Sequence, residues 1–376
     1  MTALPSAFQA HRTLLWRLCY RMTGNAADAD DLVQETFARA LERPPADSER
    51  DLKPWLIRVA MNLSRDHLRA RKRRAYEGPY LPSPIDTSDW PSDAALPDAR
   101  YGELESVSFA FLHALEVLSA KQRAVLVLCD VSGYSVREAA DVLGMSEANV
   151  KTTHHRARAA LRDYDATRVP PTREVQAQTL RKLQLLLWHL STRDVQALEA
   201  LLAADVEALN DGGGEYFAAQ VPVRGRAKVA LFHLKTQRHG KVRGTIRMIN
   251  GLPALVAEYA REGLRLRTSK RVAPRRTRVA PRVVFGIRLE PSGNIQQLYA
   301  SVATSKLTHV SFEQLEAPTQ LIAGTLWKGL RDPLFRRELA RNLLWHIKQR
   351  AGLQIERRSG PSRSVPSRLG GRRRPA

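Results

Sequence analysis

Residues 132–161 read SGYSVREAADVLGMSEANVKTTHHRARAAL, and the rest of the chain is read outward from them. Ser135 with Glu138 three residues later is a capping-box pattern and predicts a helix start. Val136, Ala139, Ala140 and Leu143 fall on one helical face. Gly144 ends that helix, because glycine enters left-handed backbone at little steric cost. Ser146 caps a second helix. Val150 and Ala157 line its inner face, continued by Ala160 and Leu161, which leaves Lys151, His154, Arg156, Arg158 and Arg162 outside. This describes a helix-turn-helix with a basic recognition helix for nucleic acid. The plainer alternative is an amphipathic pair whose arginines form a solvated face.

The 376 residues leave room for two or three domains, and 43% hydrophobic residues suffice for packed cores, which excludes a disordered chain. A net charge of +22 points to an anionic partner, most often nucleic acid. Much of that charge lies elsewhere: residues 261–282 carry nine basic side chains against one acid, and residues 352–376 carry seven against one. Cys19 and Cys129 each lie in an apolar helical run, so buried thiols and a reducing, cytoplasmic setting are expected. The start MTALPSAFQAHR has no signal-peptide pattern, and the longest apolar run, residues 183–190, is too short to span a bilayer.

Upstream, residues 8–22 form an amphipathic helix with Leu14, Leu15, Leu18 and Cys19 inward, ended by Gly24. A second helix, ADADDLVQETFARALE from Ala27, turns Leu32, Val33, Thr36, Phe37 and Ala40 inward. Asp28, Asp30, Asp31, Gln34 and Glu35 make its acidic outer face, which the helix macrodipole alone would favour near an N-terminus. After a polar loop at 42–51 comes LKPWLIRVAMNLSRDHLRARKRR (52–74), with Trp55, Leu56, Val59, Leu63 and Leu68 inward. Arg58, Asn62, Arg65, Arg69, Arg71, Lys72, Arg73 and Arg74 form a strongly basic outer side.

DDLVQETFARAL followed by PWLIRVAMNLSRDHLR resembles region 2 of an extracytoplasmic-function (ECF) sigma factor. Helices at 109–118 and 119–131 precede the helix-turn-helix, the second started by Ser119 and Gln122 at capping-box spacing; together with LSAKQRAVL at 118–126 the helix-turn-helix resembles region 4. The resemblance implies an all-α region 2 over 1–75, a connector over 76–108 and an all-α region 4 over 109–168. It implies a dissociable subunit of RNA polymerase rather than an enzyme. Asp28, Asp31, Gln34 and Glu35 would dock on the clamp of the polymerase largest subunit, with the second-largest subunit a further partner. The 42–51 loop and the start of the Trp55 helix would hold a flipped −10 base, whose unstacking costs a few kcal/mol. Asn62 would read a base edge, and Arg58, Arg65, Arg69 and Arg71 would hold phosphates of the melted strand. Asn62 as a plain exposed helix residue stays an equal alternative, and Trp55 is read as core. At the −35 element Glu147, Asn149, Lys151, Thr152 and His155 would face the major groove, with Arg156 and Arg158 on phosphate.

The connector, rich in Pro, Asp and Ser, is expected to lie extended along the polymerase. Within it Tyr80-Leu81-Pro82-Ser83-Pro84 resembles the WLPEP motif of ECF sigma factors with a C-terminal SnoaL-like domain, with Tyr for Trp and Ser for Glu. From Arg173 a long helical stretch, broken near 191–194, precedes strands at 206–210, 242–250, 254–259, 282–289 and 295–302, with a helix at 225–236 between them. This describes an α+β cone over 172–310. It resembles the SnoaL-like branch of the NTF2-like fold, including Asp211-Gly212-Gly213-Gly214 for the DGGG motif. The closing NPDKL motif survives only as Ala303-Thr304-Ser305-Lys306-Leu307. The resemblance implies regulation in cis by docking on the sigma core. Asp211, His233, Glu258 and Tyr299 are the candidate polar residues of a conical pocket, but no nucleophile, metal spacing or cofactor motif joins them.

Residues 311–376 form a basic extension, with an amphipathic helix expected at 321–347 and no fixed structure from 359 on. Two rivals remain: a conventional helix-turn-helix regulator, which has no use for the DDLVQETF helix, and a SnoaL-type enzyme tethered to DNA, which needs activity from residues 170–310.

Overall fold

A computed structural model describes residues 3–43, 52–72, 76, 78–90, 99–236, 242–259 and 279–316. The expectations for residues 44–51, Arg73, Arg74, the part of the basic stretch 261–282 that runs to residue 278, and everything beyond 316 lie outside the described residues.

Helix α1 (Ala3–Thr23) ends where Gly24 takes φ 65° and donates its N–H to the Tyr20 carbonyl. The Asn25 side chain accepts from the N–H groups of Ala27 and Asp28 and starts α2 (Ala26–Glu42). With α3 (Lys53–Lys72) these form a three-helix unit burying Leu15, Leu18, Cys19, Leu32, Val33, Phe37, Leu56, Leu63 and Leu68, as the spacing predicts, and Met61, which it did not mark. Trp55 packs half-buried on that core.

The second unit holds α4 (Phe109–Ala114), α5 (Ala120–Leu126), α6 (Val136–Leu143), α7 (Glu147–Ala160) and α8 (Arg162–Thr167). The helix expected at 109–118 gives way to a 3-10 turn at Leu115–Val117, and α5 widens into a π-helical turn at Val127–Val131. Both capping boxes form, Ser119 with Gln122 and Ser135 with Glu138. Gly144 takes φ 62° at the tight turn. Val150, Ala157 and Leu161 are buried, but Ala160 is exposed. The stripe continues four residues after Ala157, at Leu161, and the 100° step per residue sets Ala160 beside it.

The third unit opens with α9 (Arg173–Thr192) and α10 (Val195–Leu201), broken as expected where Arg193 takes φ 56° and Asp194 caps the next helix. Strands β1 (Leu202–Asp211), β2 (Val223–Arg224), β3 (Val242–Ile249), β4 (Leu252–Tyr259), β5 (Arg282–Leu289) and β6 (Ile295–Ser301) form one sheet in the order β2-β1-β6-β5-β4-β3. Only the β1–β6 pair is parallel; α11 (Arg226–Thr236) connects β2 to β3. Helix α9 packs on β4 and β5, and α11 on β1. Successive strand residues face opposite ways. Phe285 therefore meets His233 of α11, while Val284, Val256, Leu209 and Tyr299 form a second core with Leu81 and Phe109 of the sigma half.

That second core shows where part of the connector lies in the free chain. Residues 78–90 run through the seam between the units rather than away from them. Leu81 and Ile85 are buried, Ser83 donates to the Gly24 carbonyl, and Ile85 bridges to His309. The prolines hold the segment extended, and the apolar residues between them find a sheet face to cover.

Candidate polymerase and nucleic-acid surfaces

On α2, Asp31, Gln34 and Glu35 are exposed, and Glu35 pairs along the helix with Arg39 at 2.9 Å. The first turn is engaged. Asp28 pairs with His67 of α3 at 3.0 Å, and Asp30 accepts from Trp16 Nε1 at 2.9 Å and His309 Nε2 at 2.6 Å. Thus the third unit touches the start of α2 and leaves its remaining acidic face open.

On α3, Arg58, Asn62 and Arg69 are exposed, with Arg69 paired to Asp66 at 3.1 Å. Arg65 is half-buried and donates from Nη1 to Asn62 Oδ1 at 3.2 Å and to the Leu143 carbonyl of α6 at 3.3 Å. Arg71 departs from the open basic face that the spacing predicts. Its Nη1 donates to the Thr23 carbonyl at 2.5 Å and to the Tyr80 hydroxyl at 2.9 Å. Its Nη2 meets both oxygens of Glu116 at 3.0 Å, and Tyr80 lies under the guanidinium. Helical spacing reports which face a residue is on; it does not report that another unit covers that face.

Along α7, Glu147, Asn149, Lys151, Thr152, His155, Arg156 and Arg158 are all exposed in some part. Asn149 Oδ1 accepts from Lys121 Nζ at 2.9 Å, and the Thr152 hydroxyl donates to the Ala148 carbonyl. His154 and Arg158, expected on the outer face, instead clasp the buried carboxylate of Asp130. His154 Nε2 lies 2.8 Å from Oδ1, and Arg158 Nε lies 3.0 Å from Oδ2. Burial opposes the charge on Asp130, yet its hydrogen bonds to His154 and Arg158 hold the carboxyl below its usual range. A histidine and an arginine four residues apart on α7, with an acid in the π-helical turn that ends α5, were the sequence signal for this clasp. Asp130 was not singled out.

The motif residues of the third unit converge on the connector. Asp211 Oδ1 accepts from the Tyr76 hydroxyl at 2.5 Å and from the Gly213 N–H at 2.9 Å. Its Oδ2 accepts from the Leu81 N–H at 2.8 Å and pairs with Lys306 Nζ at 2.7 Å. Lys306 also donates to the Leu81 carbonyl and lies 3.5 Å from the centre of the Tyr80 ring. Side-chain exposures of 4% for Lys306 and 0% for Asp211 make this a buried ion pair. Burial lowers the Lys306 ammonium pKa against the opposing pull of Asp211. Gly213, at φ 56°, would bring a Cβ to 2.9 Å from Ala303, so glycine lets the DGGG loop meet the closing motif. Gly212 and Gly214 shape the same turn, and Glu215 takes the N–H groups of Thr304 and Ser305. Pro82 and Pro84 are buried.

A residue the sequence did not mark joins the third unit to the first and to the connector. Asn250, at φ 51° in the β3–β4 turn, donates from Nδ2 to the Tyr20 hydroxyl and the Val107 carbonyl, both at 2.7 Å. Its Oδ1 accepts from the Ile85 N–H at 3.0 Å.

The four candidate pocket residues do not converge. Asp211 belongs to the ion pair, Glu258 pairs with Arg282 at the surface, and Tyr299 stacks on Phe109. His233 faces Phe285, and burial pushes its imidazole down to about 4. Among the described residues no group of His, Cys, Asp and Glu is arranged to hold a metal, and no helix is long and apolar enough to cross a membrane. Cys19 and Cys129 are free and buried, and burial raises the Cys19 thiol to about 12 and that of Cys129 to about 11.

Residues 7–74 match the Sigma-70 region 2 family, and residues 108–161 match Sigma-70 region 4. The ECF RNA polymerase sigma factor SigJ of Mycobacterium tuberculosis is 34% identical over 238 residues, covering 62% of this chain and 74% of SigJ. This chain is an ECF sigma factor. SigG of the same organism, another ECF sigma factor, is 33% identical over 288 residues, covering 68% of this chain and 74% of SigG. The crystal structure of SigJ matches with a TM-score of 0.59 and 28% identity, over 82% of this chain and 99% of that one. The likeness therefore reaches past the two sigma regions into the α+β unit. As an ECF sigma factor the chain binds core RNA polymerase and promoter DNA and directs promoter-specific initiation. Its α2 and α3 faces belong to region 2, and the recognition helix α7 to region 4.

Proposed function

We propose that Asp31, Gln34 and Glu35, with Asp28 behind them, dock α2 on the clamp of the polymerase largest subunit, with the second-largest subunit a further contact. Arg58, Asn62, Arg65, Arg69 and Arg71 hold the −10 strand. Glu147, Asn149, Lys151, Thr152, His155, Arg156 and Arg158 serve the −35 element, with Arg158 reaching phosphate only if it leaves Asp130. The unit over 172–310 is a regulatory domain and not an enzyme, acting in cis on regions 2 and 4 over 1–75 and 109–168, in the cytoplasm. Tyr80, Leu81, Pro82 and Pro84, with Asp211, Gly212, Gly213 and Gly214, form its grip on the connector over 76–108.

The observation that carries this reading is the buried Asp211–Lys306 pair closed around the Leu81 backbone. A polymerase-bound sigma factor spreads regions 2 and 4 over two promoter elements, and here the grip holds the connector between them while Asn250 ties that connector to Tyr20 of region 2. Run-off transcription with core polymerase tests it, comparing the full chain with its Lys306→Met variant. Polymerase-dependent initiation that changes in the variant is expected. Equal output from the two proteins would remove regulation through the grip, and silence of both on a promoter library would remove the residue assignments.

A further inference from the structure

A cleft of about 210 Å³ opens where α1, the connector and the end of the third unit meet. It is lined by none of the residues given above to polymerase, DNA or the grip. One water needs about 10–15 Å³ on this measure, so a ring-sized molecule fits. Trp16 of α1 and Trp90 of the connector line it beside the buried Ile85. His309 stacks on Trp16 with ring centres 5.0 Å apart, and the Arg17 guanidinium lies 4.3 Å from the centre of the Trp90 ring.

The acids of the cleft are already engaged. Asp30 accepts from Trp16 Nε1 and His309 Nε2 on separate oxygens. Asp86 Oδ1 accepts from the N–H and hydroxyl of Ser88, and Arg247 lies 3.5 Å from its Oδ2. The guanidinium groups are not matched in the same way. Arg12 is exposed and has no partner among the described residues. Arg17 holds Glu103 through Nη1 at 2.9 Å, but its Nε is buried without an acceptor. A buried donor without an acceptor is destabilising, and a carboxylate or phosphate is the acceptor that suits a guanidinium best.

We propose that this cleft binds a small molecule made of an aromatic ring and one anionic group, a carboxylate or a phosphate. The ring lies against the two indoles, and the anion meets Arg12 and Arg17 Nε. The cleft exists only while α1, residues 85–90 and His309 stand together. A ligand that fills it therefore binds the closed chain and shifts the population toward closure. That last step rests on the regulatory reading above; the binding site does not.

Calorimetric titration of the full-length protein compares three naphthalenes of similar shape: naphthoate, naphthyl phosphate and the neutral naphthamide. At least one anion should bind about tenfold or more tighter than the amide, and which of the two does so tells carboxylate from phosphate. Arg12→Gln should lose that preference and Arg12→Lys should regain part of it, while Trp90→Ala weakens all three ligands. Arg12 is exposed, so its variants should melt within a degree or two of wild type. Equal binding of anions and amide, wild-type binding by Arg12→Gln, or no binding at millimolar ligand overturns the proposal. Run-off transcription then reads the coupling. The bound anion should lower output several-fold in wild type and not in Arg12→Gln. If it binds through Arg12 without changing output, while Lys306→Met does change it, the coupling of this cleft to closure is overturned. If neither changes output, the regulatory reading is what fails.

Discussion

At the scale of single residues, the Asp211–Lys306 pair is the most consequential contact outside the sigma regions. Breaking a buried pair leaves an uncompensated charge, at a cost of about 3–5 kcal/mol. Asp211→Asn should therefore lower the denaturation midpoint well beyond the effect of Glu258→Gln, whose partner Arg282 is exposed. Equal midpoints in chemical denaturation would contradict this. His233 makes a pH prediction. Its folded imidazole stays neutral down to about 4, whereas an unfolded one takes a proton near pH 6.5. Between those values the unfolded chain binds more protons, so stability falls as pH is lowered through the window, by about 1–3 kcal/mol. His233→Leu should flatten that part of the stability–pH curve.

At the scale of elements, α2 and α7 carry the surfaces proposed above to meet polymerase and DNA. Asp31→Arg or Gln34→Ala should weaken core polymerase binding by several-fold while leaving the melting temperature within a degree or two, since exposed substitutions usually change stability by under about 0.5 kcal/mol. Unchanged affinity in a polymerase titration would dismiss the docking face. Lys151→Glu with Arg156→Glu should reduce promoter binding and flatten its salt dependence, because each lost phosphate contact removes about 0.9 from the slope. A normal footprint would contradict the recognition-helix assignment. Most of these elements were legible in the sequence: the capping boxes at Ser119 and Ser135, the glycine stop at 144, the break near Arg193 and every described strand but β2. Each is specified by neighbours within a few residues. The passage of 109–118 into a 3-10 turn at Leu115–Val117 was not legible, nor was the stacking of Phe109 on Tyr299, a partner far along the chain.

At the scale of the molecule, one sheet is covered on one face by its own helices and on the other by Leu81 and Phe109 of the sigma half. Regions 2 and 4 cannot part without uncovering apolar surface, at about 25 cal/mol per Å² exposed. The Leu81 N–H, buried and bonded to Asp211, reports this closure. It should exchange slowly with deuterium in the free protein and faster in the polymerase complex. Equal protection in both would mean that the seam stays shut during initiation.

The sequence by itself determined the helix-turn-helix, the amphipathic helices of region 2, the α+β order of the last unit and the chemical identity of the two working faces. Those properties follow from caps, turns and periodicity, which act over three to seven residues. Only the tertiary structure decided which working residues are free. Arg71 is taken by Glu116 across 45 positions, Arg158 by Asp130 across 28, and the connector by an ion pair between residues 95 apart. Partners at such separations leave no period or cap to read. They are chosen by which charges burial brings together, and a buried charge tolerates no vacancy beside it.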